Sequence, residues 1–304
     1  MVDIVLATFN GEKFLSAQIS SIIAQTYKDW RLIIHDDGSC DNTLEIIRSF
    51  LRIDDRIILI EDGIINGSAM GNFMHTLKNS DSDFIMFCDQ DDIWFDNKIE
   101  IMLDVMKSCN QDIPVVAYCQ PYIWKPNNGI KGIEGLRRLD TQLKDFLFHN
   151  GGIHGCVSCF NRKAKEMMLK YKGSIAMHDH LLNLITITFG EVRPVFIPLQ
   201  LYRQHENNVT GNSKNGVPLI RKIQIALKER NPVVCVKHYT AVKDFFAFYK
   251  NDIELENRQI LHEYLKMPFR SKVCRFVSII RFKYKRNGSL FLLLIKNIIH
   301  PYLG

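Results

Sequence analysis

Phe84-Ile85-Met86-Phe87-Cys88-Asp89-Gln90-Asp91-Asp92-Ile93-Trp94 is an apolar run that meets three carboxylates within four residues. Its first five residues have the length and composition of a buried strand. Carboxylates repel one another, so a fold that gathers them at a strand end usually supplies a cation to hold them. Magnesium or manganese needs few protein oxygens where substrate phosphates complete its shell. The stretch therefore reads as a metal–diphosphate site. The plainer reading is a solvated acidic turn that caps a helix starting near Asn97, and these residues alone do not separate the two.

Outward from that run, short apolar strands alternate with amphipathic helices. Strands are expected over 2–7, 31–35, 56–60, 83–88, 115–119 and 195–201. Leu15, Ile19, Ile22 and Ile23 fall on one helical face, and Asn42 with Glu45 resembles a capping box that opens a helix through Leu51. Further helices are expected over 70–78 and 97–107, and 125–135 reads as a loop or hairpin. This alternation predicts an α/β fold with a mostly parallel central sheet covered on both faces. Ligands bind outside the carboxyl ends of such strands. The polar clusters at Thr8–Asn10, 36–39 and 89–92 fall at those ends, which raises the metal-site reading.

The chain has 304 residues, with 46% hydrophobic and 24% charged, ordinary for a globular protein. Eight scattered cysteines suit reduced thiols in a cytosolic protein better than a disulfide framework. Cys156 and Cys159 near His154 lack the second pair a zinc site needs. A strand signal starts almost at Met1 and carries Asp3, which argues against a signal peptide, and no apolar run reaches the roughly 18–20 residues of a spanning helix. Charge is uneven: residues 1–216 hold 22 Lys and Arg against 27 Asp and Glu, and residues 217–304 hold 17 against 6. An acidic body with a basic tail implies two partners of different character.

Three motifs then carry a resemblance. Ala7-Thr8-Phe9-Asn10-Gly11, Asp36-Asp37-Gly38-Ser39 with Asp41 and Thr43, and Asp89-Gln90-Asp91-Asp92 together resemble the family-two inverting glycosyltransferases over about the first 210 residues. Residues 87–94 and Tyr202-Arg203-Gln204-His205 with Asn207 and Asn208 look closest to bacterial rhamnosyltransferase-like enzymes of capsule, O-antigen and wall polysaccharide synthesis. The resemblance implies a GT-A fold over 1–216, with a nucleotide-binding half to about 120 and an acceptor half beyond it, followed by a basic helical region over 217–304.

It also implies site roles. Thr8 and the backbone of Phe9 would line the base pocket, with Asn10 and Glu12 beside them. Asp37 would accept the N3–H of uracil or thymine, so the donor is a UDP- or dTDP-sugar, with rhamnose the first expectation. Asp36 would be structural or face the ribose. Asp91 would ligate Mn2+ or Mg2+ directly, Asp89 the metal or ribose, and Asp92 would stand behind them. Asp179, beside His178, would be the base that takes the acceptor proton, or else would cap the helix that follows. Residues 152–156, with Gly155 and Cys156, would underlie the donor sugar, or form a tight strand entry. Arg203 and His205 would contact the diphosphate or metal, or lie on a surface loop. No Gln-x-x-Arg-Trp motif of processive synthases is found, so one sugar is moved per reaction.

The basic tail carries apolar and cationic faces over 266–286 and 290–299, suited to an anionic membrane surface and an undecaprenyl-linked glycan acceptor. Packing on the core or on a second copy, giving a homodimer, is the plainer alternative. The expected location is cytoplasmic, at the inner face of the plasma membrane. Two rival functions stay open: a nucleotide-sugar nucleotidyltransferase, which lacks its Gly-rich phosphate loop here, and a non-catalytic surface or nucleic-acid-binding protein, for which the tail offers no recognised fold.

Overall fold

The computed structural model describes residues 1–133, 141–148, 153–206, 231–286 and 288–304. They fall into two compact units, one from 1–133, 153–169 and 191–206, the other from the remaining described stretches. Gly152, Asn207, Asn208 and residues 217–230 of the basic tail lie outside the described residues.

The first unit is built on one sheet. Its strands are β1 (Val2–Thr8), β2 (Trp30–Asp36), β3 (Ile57–Ile60), β4 (Phe84–Cys88), β5 (Ile93–Trp94), β6 (Val115–Lys125), β7 (Gly129–Ile133), β8 (Ser158–Asn161) and β9 (Glu191–Arg203). They lie in the order β3-β2-β1-β4-β8-β6-β9-β5, with β7 added on β6. The four strands β3, β2, β1 and β4 are all parallel, and β6 also runs parallel to β9. The insertion of β8 between β4 and β6, and the pairs β6–β7 and β5–β9, are antiparallel. Val2, Ile4, Val5 and Leu6 are all buried, the continuous apolar run of a strand covered on both faces.

Register decides where the polar clusters go. Thr8 is paired with Asp36, and Leu6 with Cys88, so the ends of β1, β2 and β4 open onto one edge. Helices α1 (Leu15–Ile23), α2 (Thr43–Leu51), α3 (Ala69–Leu77) and α4 (Lys98–Lys107) connect these strands, and α6 (Arg162–Lys170) follows β8. At the opposite edge Asp3 is buried yet fully served. Arg31 donates to it at 2.9 and 3.0 Å, and the Asp81 and Ser82 amides donate at 2.7 and 2.9 Å.

Three expectations change in detail. The capping box does not form: Asn42 donates its side-chain amide to Glu12 at 2.9 Å, and Glu45 lies 3.6 Å from Arg52. The strand expected to end at Cys119 runs on to Lys125, because β7 pairs with its second half as a hairpin. The helix expected over 266–286 is interrupted: a tight turn at Met267–Phe269 carries Pro268, which lacks an amide hydrogen, and a new helix starts at Lys272.

The second unit is helical. It contains α5 (Leu143–Phe146), α7 (His178–Phe189), α8 (Val236–Tyr249), α9 (Leu255–Lys266), α10 (Lys272–Phe282) and α11 (Leu290–Ile299). Its core is aromatic: Phe148 meets Tyr264 and Tyr284 edge-on at 5.3 Å each, and Phe245 packs against Tyr249 at 5.0 Å. Val273, Phe276, Val277 and Ile280 form an exposed apolar stripe along α10, continued by Phe269 in the turn before it, with Lys272 and Arg281 on the same helix. Among the described residues no helix is long and apolar enough to cross a membrane.

Candidate active site

The loop after β1 is held by residues from two other strands. The Thr8 hydroxyl donates to Asp36 at 2.9 Å, and Asp36 also accepts the Ser39 amide at 2.8 Å and the Ser39 hydroxyl at 2.6 Å. Asp36 thus closes the 36–39 turn, in which Gly38 takes φ +83°, a conformation glycine adopts without strain. Asn10, at φ 47°, donates its amide to Ser39 and accepts the Cys40 amide on its side chain. Glu12 accepts the Asn42 amide at 3.0 Å, so it supports this loop from behind. Asp37 is buried and accepts the Asn66 amide at 2.5 Å. Phe9 stands 54% exposed at the mouth.

Gln90 ties this loop to the carboxylate run. Its side-chain amide accepts the Phe9 N–H and donates to the Phe9 carbonyl, both at 3.0 Å. Gly11 leaves space for it: a Cβ there would stand 2.5 Å from Gln90 Oε1.

The three carboxylates have different surroundings. Asp91 is partly exposed, and its Oδ2 lies 2.7 Å from His205 Nε2. The Asp91 carbonyl accepts Arg203 Nε–H at 2.6 Å. Arg203 is buried, its guanidinium over the Trp124 ring at 4.3 Å and the Phe14 ring at 4.6 Å, and Phe14 also contacts the His205 ring at 4.8 Å. Asp92 is fully buried and accepts Gln200 Nε2–H at 2.9 Å and the Arg203 amide at 3.1 Å. Burial pushes its carboxyl well above the usual carboxylate range, and neighbouring Asp91 and Asp89 push it further.

Gly155 and Cys156 form a tight turn, Gly155–Val157, leading into β8, and both are buried. Asp89, Asp92 and Cys156 bring possible ligand atoms within 4.8 Å of one another. Asp92 and Cys156 suit that role poorly. Both Asp92 oxygens already accept hydrogen bonds, and burial holds the Cys156 thiol well above its ordinary pKa, so it stays protonated. Asp91 and His205, 2.7 Å apart, offer a hard oxygen and an imidazole, and Asp89 a further hard oxygen. These donor types fit Mn2+ or Mg2+, although the three do not gather within 4.8 Å of one another as Asp89, Asp92 and Cys156 do.

Lys98 is a residue that sequence reading did not mark. It is fully buried, donates to the Cys156 carbonyl at 2.7 Å and to Gln200 Oε1 at 2.5 Å, and lies 3.7 Å over the Trp94 ring. As the first residue of an amphipathic helix it looks like a solvated cation. Gln200, Asn66 and Trp124 were equally unmarked, with no motif around them: Gln200 acts through its side-chain amide, Asn66 through its backbone N–H and Trp124 through its ring.

In the second unit Asp179 sits in the first turn of α7, one residue past the start, so it does not occupy the helix cap, which is Met177. Its Oδ1 accepts the His180 amide at 2.7 Å, and its carbonyl accepts from Asn183 at 2.8 Å. His178 is buried, and desolvation pushes its pKa down to about 3, so it is neutral.

Comparison with known proteins follows the same lines. Residues 3–166 match the family model described as Glycosyl transferase family 2. A dTDP-rhamnosyl transferase, RfbG of Shigella flexneri, is 33% identical over 222 residues, covering 68% of this chain and 73% of RfbG. WfgD of Escherichia coli, a UDP-Glc:alpha-D-GlcNAc-diphosphoundecaprenol beta-1,3-glucosyltransferase, is 39% identical over 110 residues, which is 36% of this chain and 42% of WfgD. The chain thus spans less than half of that second relative. Among solved structures, S. aureus TarS 1-349 in complex with UDP superposes with a TM-score of 0.59 at 13% identity, over 90% of this chain and 74% of TarS. A mannosyltransferase from Pyrobaculum calidifontis, in complex with GDP-Man and Mn2+, does so with a TM-score of 0.55 at 14% identity, over 96% and 76%. These two likenesses concern the fold, which is GT-A. With its three motifs assembled on one sheet edge and more than half its length matched, the chain belongs to glycosyl transferase family 2.

Proposed function

We propose that this glycosyltransferase moves one sugar, with inversion, from a UDP- or dTDP-sugar to a lipid-linked glycan in bacterial polysaccharide synthesis. The observation that carries this is the meeting, at the ends of three parallel strands, of the Thr8–Asn10 loop, Asp37 and the Asp89–Asp91 run with His205. The base would stack near Phe9 and Thr8, with N3–H donated to Asp37; uracil and thymine share that edge. Rhamnose is the first donor to test, since RfbG is described as a dTDP-rhamnosyl transferase, and glucose the second, after WfgD.

Asp89, Asp91 and His205 would hold the divalent cation, which supplies positive charge to the departing diphosphate when bound. Arg203, fixed between Phe14 and Trp124, holds the Asp91 backbone and adds a second positive charge. Gly155 and Cys156 would lie under the donor sugar, where a small backbone allows close approach. Asp179 would take the proton of the acceptor hydroxyl as its oxygen bonds to the anomeric carbon and the bond to the diphosphate breaks. Attack on the face opposite the leaving group inverts the configuration. The α10 stripe, with Lys272 and Arg281 on the same helix, would rest on anionic lipid and present the unit to a membrane-borne acceptor.

The test is calorimetric titration with UDP, dTDP, GDP and CDP, each with and without Mn2+, on wild type and Asp91→Ala. Metal-dependent binding of UDP or dTDP that is lost in the variant supports the reading. Failure of every nucleotide to bind the folded protein with metal present refutes it.

A further inference from the structure

A second group of ligand-type side chains lies in the first unit, away from the carboxylate run. His35 is the penultimate residue of β2, Asp62 follows β3, and His75 is in the last turn of α3. Their ligand atoms all lie within 4.8 Å of one another. Asp62 Oδ2 is 2.7 Å from His75 Nε2, and Asp62 Oδ1 is 3.4 Å from His35 Nε2. The two rings meet edge to face at 4.6 Å. His35 is buried, His75 is nearly so, and Asp62 is about one-third exposed, which leaves a way in from solvent.

The proton positions on His35 follow from Asn72. The Asn72 side-chain nitrogen donates to two carbonyls, Thr8 at 3.1 Å and His35 at 3.2 Å, so that end of the amide must be the NH2. The other end is therefore oxygen, and it faces His35 Nδ1 at 2.7 Å. Nδ1 must carry the hydrogen of that bond. In the neutral ring Nε2 is then a bare lone pair, and a carboxylate oxygen lies 3.4 Å from it. Two electron-rich atoms at that spacing need a positive centre between them. An imidazole whose far nitrogen donates to a fixed carbonyl oxygen is also how protein zinc ligands are oriented.

We propose that His35 Nε2, His75 Nε2 and the Asp62 carboxylate form a binding site for a divalent transition metal of the zinc class. Two imidazoles and a carboxylate suit zinc, and around a tetrahedral ion with bonds of about 2.0–2.1 Å neighbouring ligand atoms stand about 3.3 Å apart. The 3.4 Å separation meets that spacing, and a small swing of the partly exposed Asp62 would bring its other oxygen to it. Hard-ion preference separates this site from the Asp89–Asp91 run, which lacks a second imidazole. The site also explains why three elements converge there: it would clamp the segment after β3 whose Asn66 amide holds Asp37. Zinc binding does not depend on which sugar the enzyme transfers.

The experiment uses the full chain stripped of metal, carrying Asp91→Ala so that the other site contributes little. Zinc is titrated in competition with a chromogenic chelator, and Co2+ uptake is followed by visible absorption. The expected result is one zinc per chain, with the intense absorption of tetrahedral cobalt. Asp62→Ala, at the partly exposed position, and His75→Ala should each weaken zinc at least 100-fold while circular dichroism stays unchanged. Absence of zinc uptake at micromolar free metal overturns the proposal, and means that an extra proton fills the gap. Unchanged affinity in both variants overturns it equally.

Discussion

Lys98→Met tests how the buried polar network under the carboxylate run is held. The substitution keeps the length of the side chain and removes its charge. Two ammonium hydrogen bonds go with it, to the Cys156 carbonyl and to Gln200. Each is worth about 1.5–3 kcal/mol when its acceptor stays buried, and the lost contact with the Trp94 ring adds up to about 2 kcal/mol. Relief from holding an ammonium out of water offsets several kcal/mol of that sum. The net expectation is a loss of about 3–5 kcal/mol, the usual cost of stripping one member from a buried charged network. Part of it passes to Asp92, because Gln200 relays between them: its oxygen accepts from Lys98 and its nitrogen donates to Asp92. Lys98→Met combined with Asp92→Asn should therefore cost at least about 1 kcal/mol less than the two changes added. Urea unfolding followed by tryptophan fluorescence is the assay, since Trp30, Trp94 and Trp124 all lie in the first unit. A loss below about 1 kcal/mol for Lys98→Met, or additivity within about 0.5 kcal/mol, would refute the relay.

Three further outcomes are expected. Burial lowers the pKa of His178 and His180 to about 3, far below an unfolded value near 6.5, so the unfolded chain takes up protons first; their contribution is present above pH 6.5 and lost as pH falls towards 3. At pH 5.5 each costs about 1.4 kcal/mol, and urea midpoints of His178→Gln/His180→Gln should fall less between pH 7.5 and 5.5 than those of wild type. Asp37→Ala should weaken UDP or dTDP binding at least 10-fold by calorimetry, consistent with a charged hydrogen bond of about 1.5–3 kcal/mol; equal affinity would remove Asp37 from base recognition. Arg203→Lys should lower kcat/KM at least 10-fold, because an ammonium cannot fill the flat slot between Phe14 and Trp124, whereas retained activity would reduce Arg203 to a point charge.

Much of this molecule is legible in its sequence, for physical reasons. The parallel half of the sheet shows because strands covered on both faces must be apolar throughout, as Val2, Ile4, Val5 and Leu6 are. The sheet edge shows because three polar clusters, each after an apolar strand, fall where parallel strands of one sheet end. Lys98 was hidden, since nothing in an amphipathic helix separates a buried lysine from a solvated one. The His35–Asp62–His75 group was hidden too, because its members are spread over 41 positions and no spacing rule joins them. The interruption at Pro268 was legible in principle, and was overridden by the run of apolar and basic residues on both sides of it.

The grip of Gln90 on Phe9 has a consequence for how this site can change over generations. A methyl group at position 11 would stand 2.5 Å from the Gln90 amide oxygen, so the glutamine would have to leave its present position, and that position is what couples two loops 81 positions apart. Neither position is free to drift alone. Gly11→Ala displaces the glutamine and loosens both loops, and Gln90→Ser on its own leaves the Phe9 backbone without its partner. Once the glutamine is gone, however, alanine at 11 costs little more, so the harm of the second change depends on whether the first has happened. Sequence divergence at this corner should therefore proceed by paired steps, and the order of those steps will constrain which related enzymes can be reached from this one.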